Sequence, residues 1–196
     1  SRQTPGKYPY ASKSYLLEYE NGKYNDVTAE KAELLDGIGM VTNAYWSDIN
    51  GDKSEELILS GEWMPITILE QKEGVFTNQT EKYGLKNTEG WWFGMALADI
   101  DNDGDIDIVG GNLGLNYKYH ASKEGPFQVF SSDVNGDGKV DIITFEAISN
   151  PPKISLHTHS ISLRMTFNNG MNHCIDTRSQ SPCGHNRYVD FGRGMM

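Results

Sequence analysis

Fifteen residues in three short stretches carry the chemistry this chain offers. The stretches open with Asp48-Ile49-Asn50-Gly51-Asp52, Asp99-Ile100-Asp101-Asn102-Asp103 and Asp133-Val134-Asn135-Gly136-Asp137. A hard divalent cation takes six to eight oxygen ligands, and a loop with oxygens at positions 1, 3, 5, 7 and 9 can wrap one. The first loop offers Asp48, Asn50, Asp52, the Ser54 carbonyl and Glu56. The second offers Asp99, Asp101, Asp103, the Asp105 carbonyl and Asp107. The third offers Asp133, Asn135, Asp137, the Lys139 carbonyl and Asp141. Carboxylates packed within a few ångströms repel one another unless a cation sits among them. One Asp-Gly turn is ordinarily just an acidic surface turn. Three with matching oxygen spacing point to metal, and an all-oxygen, many-membered ligand set favours Ca²⁺ over Mg²⁺.

The sixth position must turn sharply. Gly104 and Gly138 stand there in the second and third loops, but Lys53 stands there in the first, so that turn is expected to cost more. The second loop has four carboxylates at ligand positions and the first and third have three each, which ranks the second as the tightest site and the first as the weakest. An EF-hand opens with the same spacing but needs a bidentate Glu at position 12 and flanking helices. Position 12 is Leu59, Gly110 and Thr144, and the preceding runs Leu57-Ile58-Leu59, Ile108-Val109 and Ile142-Ile143-Thr144 read as strands.

The elements that must hold these loops repeat. Asn21-Gly22-Lys23-Tyr24-Asn25-Asp26-Val27-Thr28 recurs loosely as Glu73-Gly74-Val75-Phe76-Thr77-Asn78-Gln79-Thr80, with the glycines 52 residues apart, and the first two Asp loops lie 51 apart. The third loop follows after only 34. A period of about 50 suits a four-stranded propeller blade. One period reads as strands over Val41–Ser47, Glu56–Ser60, Ile66–Glu70 and Val75–Gln79, each bounded by Gly, Asn or Asp. Phe93–Ala98, Ile106–Gly110, Phe127–Ser132 and Val140–Phe145 read as further strands, with a loop-like stretch over 112–125. The one helix expected is short, over Ala29–Leu35. The expected fold is therefore all-β: part of a β-propeller, built of four-stranded blades with Asp-rich calcium loops. Closed propellers use about four to eight blades, so two or three blades read as part of a longer protein, as does the start at Ser1 with neither Met nor signal peptide.

Charge divides the chain near Ser149. Residues 1–149 hold 12 Lys and Arg against 25 Asp and Glu, whereas 150–196 hold 5 against 2. The blades are thus assigned to 1–149 and the remainder to a tail of uncertain structure that continues neither loop nor repeat. His157, His159, His173, Cys174, Cys183 and His185 in that tail fit no familiar zinc spacing. A net charge of −10 argues against nucleic acid as partner. No apolar run approaches the roughly 20 residues that span a bilayer. No Ser/His/Asp arrangement or phosphate loop is present, so no catalytic residue is assigned. Trp63, Trp91 and Trp92 fit either packing between blades or a binding surface, and Asn78-Gln79-Thr80 is a glycosylation sequon that also arises by chance.

The pattern Asp-x-Asp/Asn-x-Asp-Gly-x-x-Asp followed by a β run resembles the FG-GAP, or VCBS, repeat of integrin α-chain propellers and many secreted bacterial proteins. Pro5-Gly6-Lys7-Tyr8-Pro9, Asp26-Val27-Thr28, Gly39-Met40-Val41-Thr42, Gly61-Glu62-Trp63-Met64-Pro65, Gly90-Trp91-Trp92 and Gly111-Asn112-Leu113-Gly114-Leu115-Asn116 are similar, in order, to the VCBS-repeat proteins related to cartilage acidic protein. Many of those carry an ASPIC/UnbV domain, of which nothing is visible here. The resemblance covers about residues 5–147. It implies a propeller with Ca²⁺ in its blade loops, an extracellular or cell-surface setting, protein or glycan recognition, and no catalytic residue. The alternative is an accessory propeller of a larger secreted hydrolase or lyase whose catalytic module lies elsewhere.

Overall fold

A computed structural model describes residues 2–5, 7–114, 122, 126–133 and 136–144, and the backbone of 145–146, 153–157, 162–166 and 172–176. The chain divides into two compact units, Ser1–Lys118 and Tyr119–Met196.

The first unit opens with a hairpin of β1 (Leu17–Glu20) and β2 (Lys23–Asp26). Asn21 and Gly22, at its turn, both have positive φ (51° and 82°), the conformation that Asn-Gly adopts in tight hairpins. The hairpin was not expected as strands. Its residues are exposed and polar-rich, so no buried face marks it in the sequence. The expected single helix is instead α1 (Thr28–Lys31) and a 3-10 turn over Glu33–Leu35. Ala32 between them takes φ −148° and ψ 47°, which ends the first turn, and its side chain is fully buried.

The first complete blade follows as β3 (Met40–Ser47), β4 (Glu56–Met64), β5 (Thr67–Lys72) and β6 (Val75–Asn78). These four pair antiparallel in the order β3-β4-β5-β6. The expected strands are all present, with β4 and β5 running longer than the pattern indicated. Strand β4 is central and buried along almost its whole length. Alternate residues of a strand point to opposite faces, so β4 feeds two cores. Leu57 and Leu59 pack with Ala32, Leu35, Met64, Leu69 and Phe76 on one face. Ile58 packs with Ile66 and Met95 on the other.

The second period begins with β7 (Gly90–Ala98) and β8 (Asp107–Asn112), again joined through an Asp loop and paired antiparallel. β7 also pairs with the far end of β4 through Glu62↔Trp91 and Met64↔Gly90. Side chains of β3 reach the backbone of β7 fifty positions later: Thr42 Oγ1 donates to the Trp92 carbonyl (2.9 Å), Asn43 Nδ2 to that of Phe93 (3.3 Å) and the Tyr45 hydroxyl to that of Met95 (2.8 Å). Equivalent strands of successive repeats therefore lie side by side.

The second unit holds β9 (Phe127–Ser132), β10 (Asp141–Glu146) and β11 (Lys153–His157) in one antiparallel sheet, with the third Asp loop between β9 and β10. β11 comes from the stretch beyond Asn150. A separate hairpin joins β12 (Ser162–Thr166) and β13 (Asn172–Asp176). The architecture is thus all-β and antiparallel, with propeller-type sheets; the described residues form no closed ring. No helix among them is long and apolar enough to cross a membrane.

Candidate metal centre

Each Asp loop sits where one strand reverses into the next, and over their described residues the three share a hydrogen-bond pattern. The carboxylate at position 1 gathers backbone N–H groups from the turn it encloses. Asp48 Oδ1 accepts from Gly51 (2.7 Å) and Asp52 (3.2 Å), and its Oδ2 accepts from Lys53 (2.8 Å). Asp99 accepts from Asp103 (3.2 Å) and Gly104 (3.1 Å). Asp133 accepts from Gly136 (2.7 Å), Asp137 (3.1 Å) and Gly138 (2.8 Å). The carboxylate at position 5 accepts from the N–H at position 7: Asp52 from Ser54 (2.8 Å), Asp103 from Asp105 (2.9 Å) and Asp137 from Lys139 (2.8 Å). The carboxylate at position 9 reaches back to position 2, Glu56 to the Ile49 N–H (3.0 Å) and Asp107 to the Ile100 N–H (2.9 Å). That last bond joins the strand after each of the first two loops to the loop's start, and spacing alone does not disclose it.

The backbone matches as well. Position 4 has positive φ in Gly51 (75°), Asn102 (61°) and Gly136 (75°), and so does position 6 in Lys53 (72°), Gly104 (96°) and Gly138 (81°). The left-handed region suits glycine, and Asn tolerates it better than most residues. Lys53 therefore sits in a strained conformation, as its replacement of glycine led one to expect. The requirement at position 4 is met by Gly51, Asn102 and Gly136, residue types that tolerate positive φ.

The loops differ in how their carboxylates converge. In the second, oxygens of Asp99, Asp101 and Asp107 all lie within 4.8 Å of one another, and all three residues are exposed. Asp103 stands outside this set, with an oxygen engaged by the Asp105 N–H. Among the described residues, neither the first loop nor the third brings three carboxylates that close. In the first, the Asn50 amide stands between groups: its Nδ2 donates to Glu56 Oε1 (3.1 Å) and to the Tyr83 hydroxyl (3.2 Å). Glu56 is 2% exposed. Burial raises its pKa, the Asp52, Glu70 and Asp48 charges push the same way, and the Ile49 N–H opposes them. Glu70 nearby is held below the usual carboxylate range by its bonds to Lys82 and Tyr83. In the third loop Asp133, Asp137 and Asp141 are described and Asn135 lies outside the described residues.

The chemistry of the donor set fits a hard cation. Among the described residues, Asp99, Asp101 and Asp107 are paired with no Lys or Arg. Each neighbouring pair of such charges repels by about 1 kcal/mol even at the dielectric of water, and a divalent ion removes that repulsion.

Trp63, Trp91 and Trp92 bond within the fold. Trp63 Nε1 donates to the Tyr8 hydroxyl (2.8 Å), Trp91 Nε1 to Glu62 Oε2 (2.9 Å) and Trp92 Nε1 to the Thr88 carbonyl (3.0 Å). Glu62, 2% exposed, also accepts from Tyr8 (3.0 Å) and pairs with Arg2, which ties the N-terminal segment to β4. The sequon has a structural role: Asn78 Oδ1 accepts from the Thr80 N–H (2.9 Å), as Asp26 Oδ1 does from the Thr28 N–H (3.0 Å). The histidine and cysteine side chains of the tail lie outside the described residues.

A search of curated proteins finds no match to this chain. Residues 48–110, from the start of the first Asp loop into the strand after the second, match the family model of the FG-GAP-like repeat.

Proposed function

We propose that this chain is a calcium-binding β-propeller repeat region that serves protein or glycan recognition in an extracellular or cell-surface setting. The observation that carries the proposal is the shared fold of the three loops, with a carboxylate at positions 1, 5 and 9 of each. Asp99, Asp101, Asp103 and Asp107 with the Asp105 carbonyl would hold one ion. Asp48, Asn50, Asp52, Glu56 and the Ser54 carbonyl would hold a second, and Asp133, Asn135, Asp137, Asp141 and the Lys139 carbonyl a third. The ions supply positive charge that fastens each strand reversal; the region is non-catalytic. Mg²⁺ is the poorer fit, because it demands near-ideal octahedral geometry and gives up its waters reluctantly. The FG-GAP-like match supports the recognition role, and the ordered motifs over about residues 5–147 support kinship with the VCBS proteins related to cartilage acidic protein.

Thermal melting tests this. A ligand that binds the folded chain alone stabilises it by about 2.7 kcal/mol at a hundredfold excess over its Kd. The midpoint should rise by several degrees in millimolar Ca²⁺ over chelator, and by much less in Mg²⁺. Equal midpoints in all three conditions would overturn the proposal.

A further inference from the structure

The first loop differs from the second at its third position. Asp101 carries two equivalent oxygens there, whereas Asn50 carries one oxygen and one amide nitrogen. Only the oxygen can ligate a cation. The first loop therefore has an orientation to fix that the second does not have.

Hydrogen bonds fix it, and their sense is unambiguous. Asn50 Oδ1 accepts from the Asp52 backbone N–H (2.8 Å), a group that can only donate. The amide nitrogen is the other end, and it donates to Glu56 Oε1 (3.1 Å) and to the Tyr83 hydroxyl (3.2 Å). Turned over, the amide would set N–H against the Asp52 N–H, and its oxygen against the Glu56 carboxylate. Of the two acceptors, Glu56 stands at a ligand position and is shared with the ion; Tyr83 lies outside the ligand set.

Tyr83 is itself held. Its hydroxyl donates to Glu70 Oε1 (2.7 Å) on β5, and Lys82 pairs with that same oxygen. A hydroxyl has one proton and two lone pairs. With the proton on Glu70, Tyr83 can only accept from Asn50. The turn that carries Tyr83 is closed by bonds from Tyr83 N to the Gln79 carbonyl (3.3 Å) and from Leu85 N to the Thr80 carbonyl (3.1 Å). Leu85 packs against Ile58, Ile66 and Met95, which fastens the turn to the core.

We propose that Tyr83 is a positioning residue for the first calcium site: its hydroxyl, directed by Glu70, holds the Asn50 amide with Oδ1 turned into the loop. The proposal rests on the calcium reading above and deepens it. A residue 33 positions from Asn50, in the turn after β6, thus sets the affinity of the first loop and leaves the second untouched.

Calcium titration of the nitrogen-labelled full chain, followed by heteronuclear NMR, reads the loops separately in one sample. The Gly51 amide reports the first loop and the Gly104 amide the second. Tyr83→Phe keeps the ring and removes the hydroxyl. It should raise the calcium dissociation constant at Gly51 about fivefold, the effect of one lost hydrogen bond, and leave that at Gly104 unchanged. In an Asn50→Asp background, where either oxygen serves, the same change should cost less than about twofold. Equal constants at Gly51 with and without the Tyr83 hydroxyl overturn the inference and leave the calcium reading standing. So does a fivefold loss shared by Gly104, or one that persists in the Asn50→Asp background, since Tyr83 then supports the fold and not the amide. A wild-type chain in which neither glycine responds to calcium overturns the calcium reading itself, and this inference with it.

Discussion

Lys53→Gly isolates a backbone feature that sets the first Asp loop apart from the other two. Lys53 has φ 72°, in the left-handed region that Gly104 (96°) and Gly138 (81°) fill at the same loop position. That conformation costs a residue bearing a Cβ about 1–2 kcal/mol. Glycine avoids the clash but loses more chain freedom on folding, which offsets about 0.5–1 kcal/mol of the gain. The Lys53 N–H that donates to Asp48 Oδ2 (2.8 Å) is kept by glycine. The net is a stabilisation of about 0.5–1 kcal/mol without metal, or about 1–4 °C in Tm for a chain of this size. Calcium should widen the difference, because the substitution also removes a positive charge beside the ligands. The reciprocal changes Gly104→Lys and Gly138→Lys should each lower Tm by a similar amount in chelator. Scanning calorimetry of the three variants, with calcium and with chelator, makes the comparison. If Lys53→Gly lowers Tm in chelator while Gly104→Lys leaves it unchanged, backbone strain at the sixth position does not distinguish these loops.

Asp101→Ala should lower the calcium-bound Tm more than Asp52→Ala, because Asp101 belongs to the convergent set with Asp99 and Asp107; equal losses in parallel melts would count against that set as the tightest site. Gly61→Ala should destabilise by about 1–3 kcal/mol, since a Cβ at Gly61 would lie 2.2 Å from the Met40 carbonyl oxygen; a denaturant midpoint unchanged from wild type would show that β3 and β4 can separate to admit a methyl. Burial first, then the Glu62 charge and hydrogen bond, pushes the Tyr8 phenol up to about 12. Its folded value lies above the unfolded value of about 10, so the stability it contributes is complete below about pH 10 and is lost as pH rises towards 12. Tyr8→Phe should remove one late-ionising phenol from an alkaline absorbance titration, and an unchanged late phase would show that Tyr8 titrates with the exposed tyrosines.

What could be read from the sequence is what is local. The loop pattern fits within nine residues, so carboxylate spacing, the strand after each loop and the strain at Lys53 were all legible. The strands of the first full blade were legible because each is short and bounded by turn residues. The β1–β2 hairpin was visible as a repeat but not as strands, because Leu17-Glu18-Tyr19-Glu20 and Lys23-Tyr24-Asn25-Asp26 have no covered face to impose alternation. The roles of Trp63 and Trp91 were out of reach, since their partners Tyr8 and Glu62 lie 55 and 29 residues away. Likewise, nothing local tells that Asn50 bridges Glu56 and Tyr83, or that Tyr45 reaches fifty positions ahead to Met95.

The most direct test of the central claim is a calorimetric titration of the folded chain with calcium. Three loops of one fold predict saturable heat within the millimolar range and about three ions per chain, with the tightest phase removed by Asp101→Ala. A folded chain that gives no heat at millimolar calcium would contradict the account.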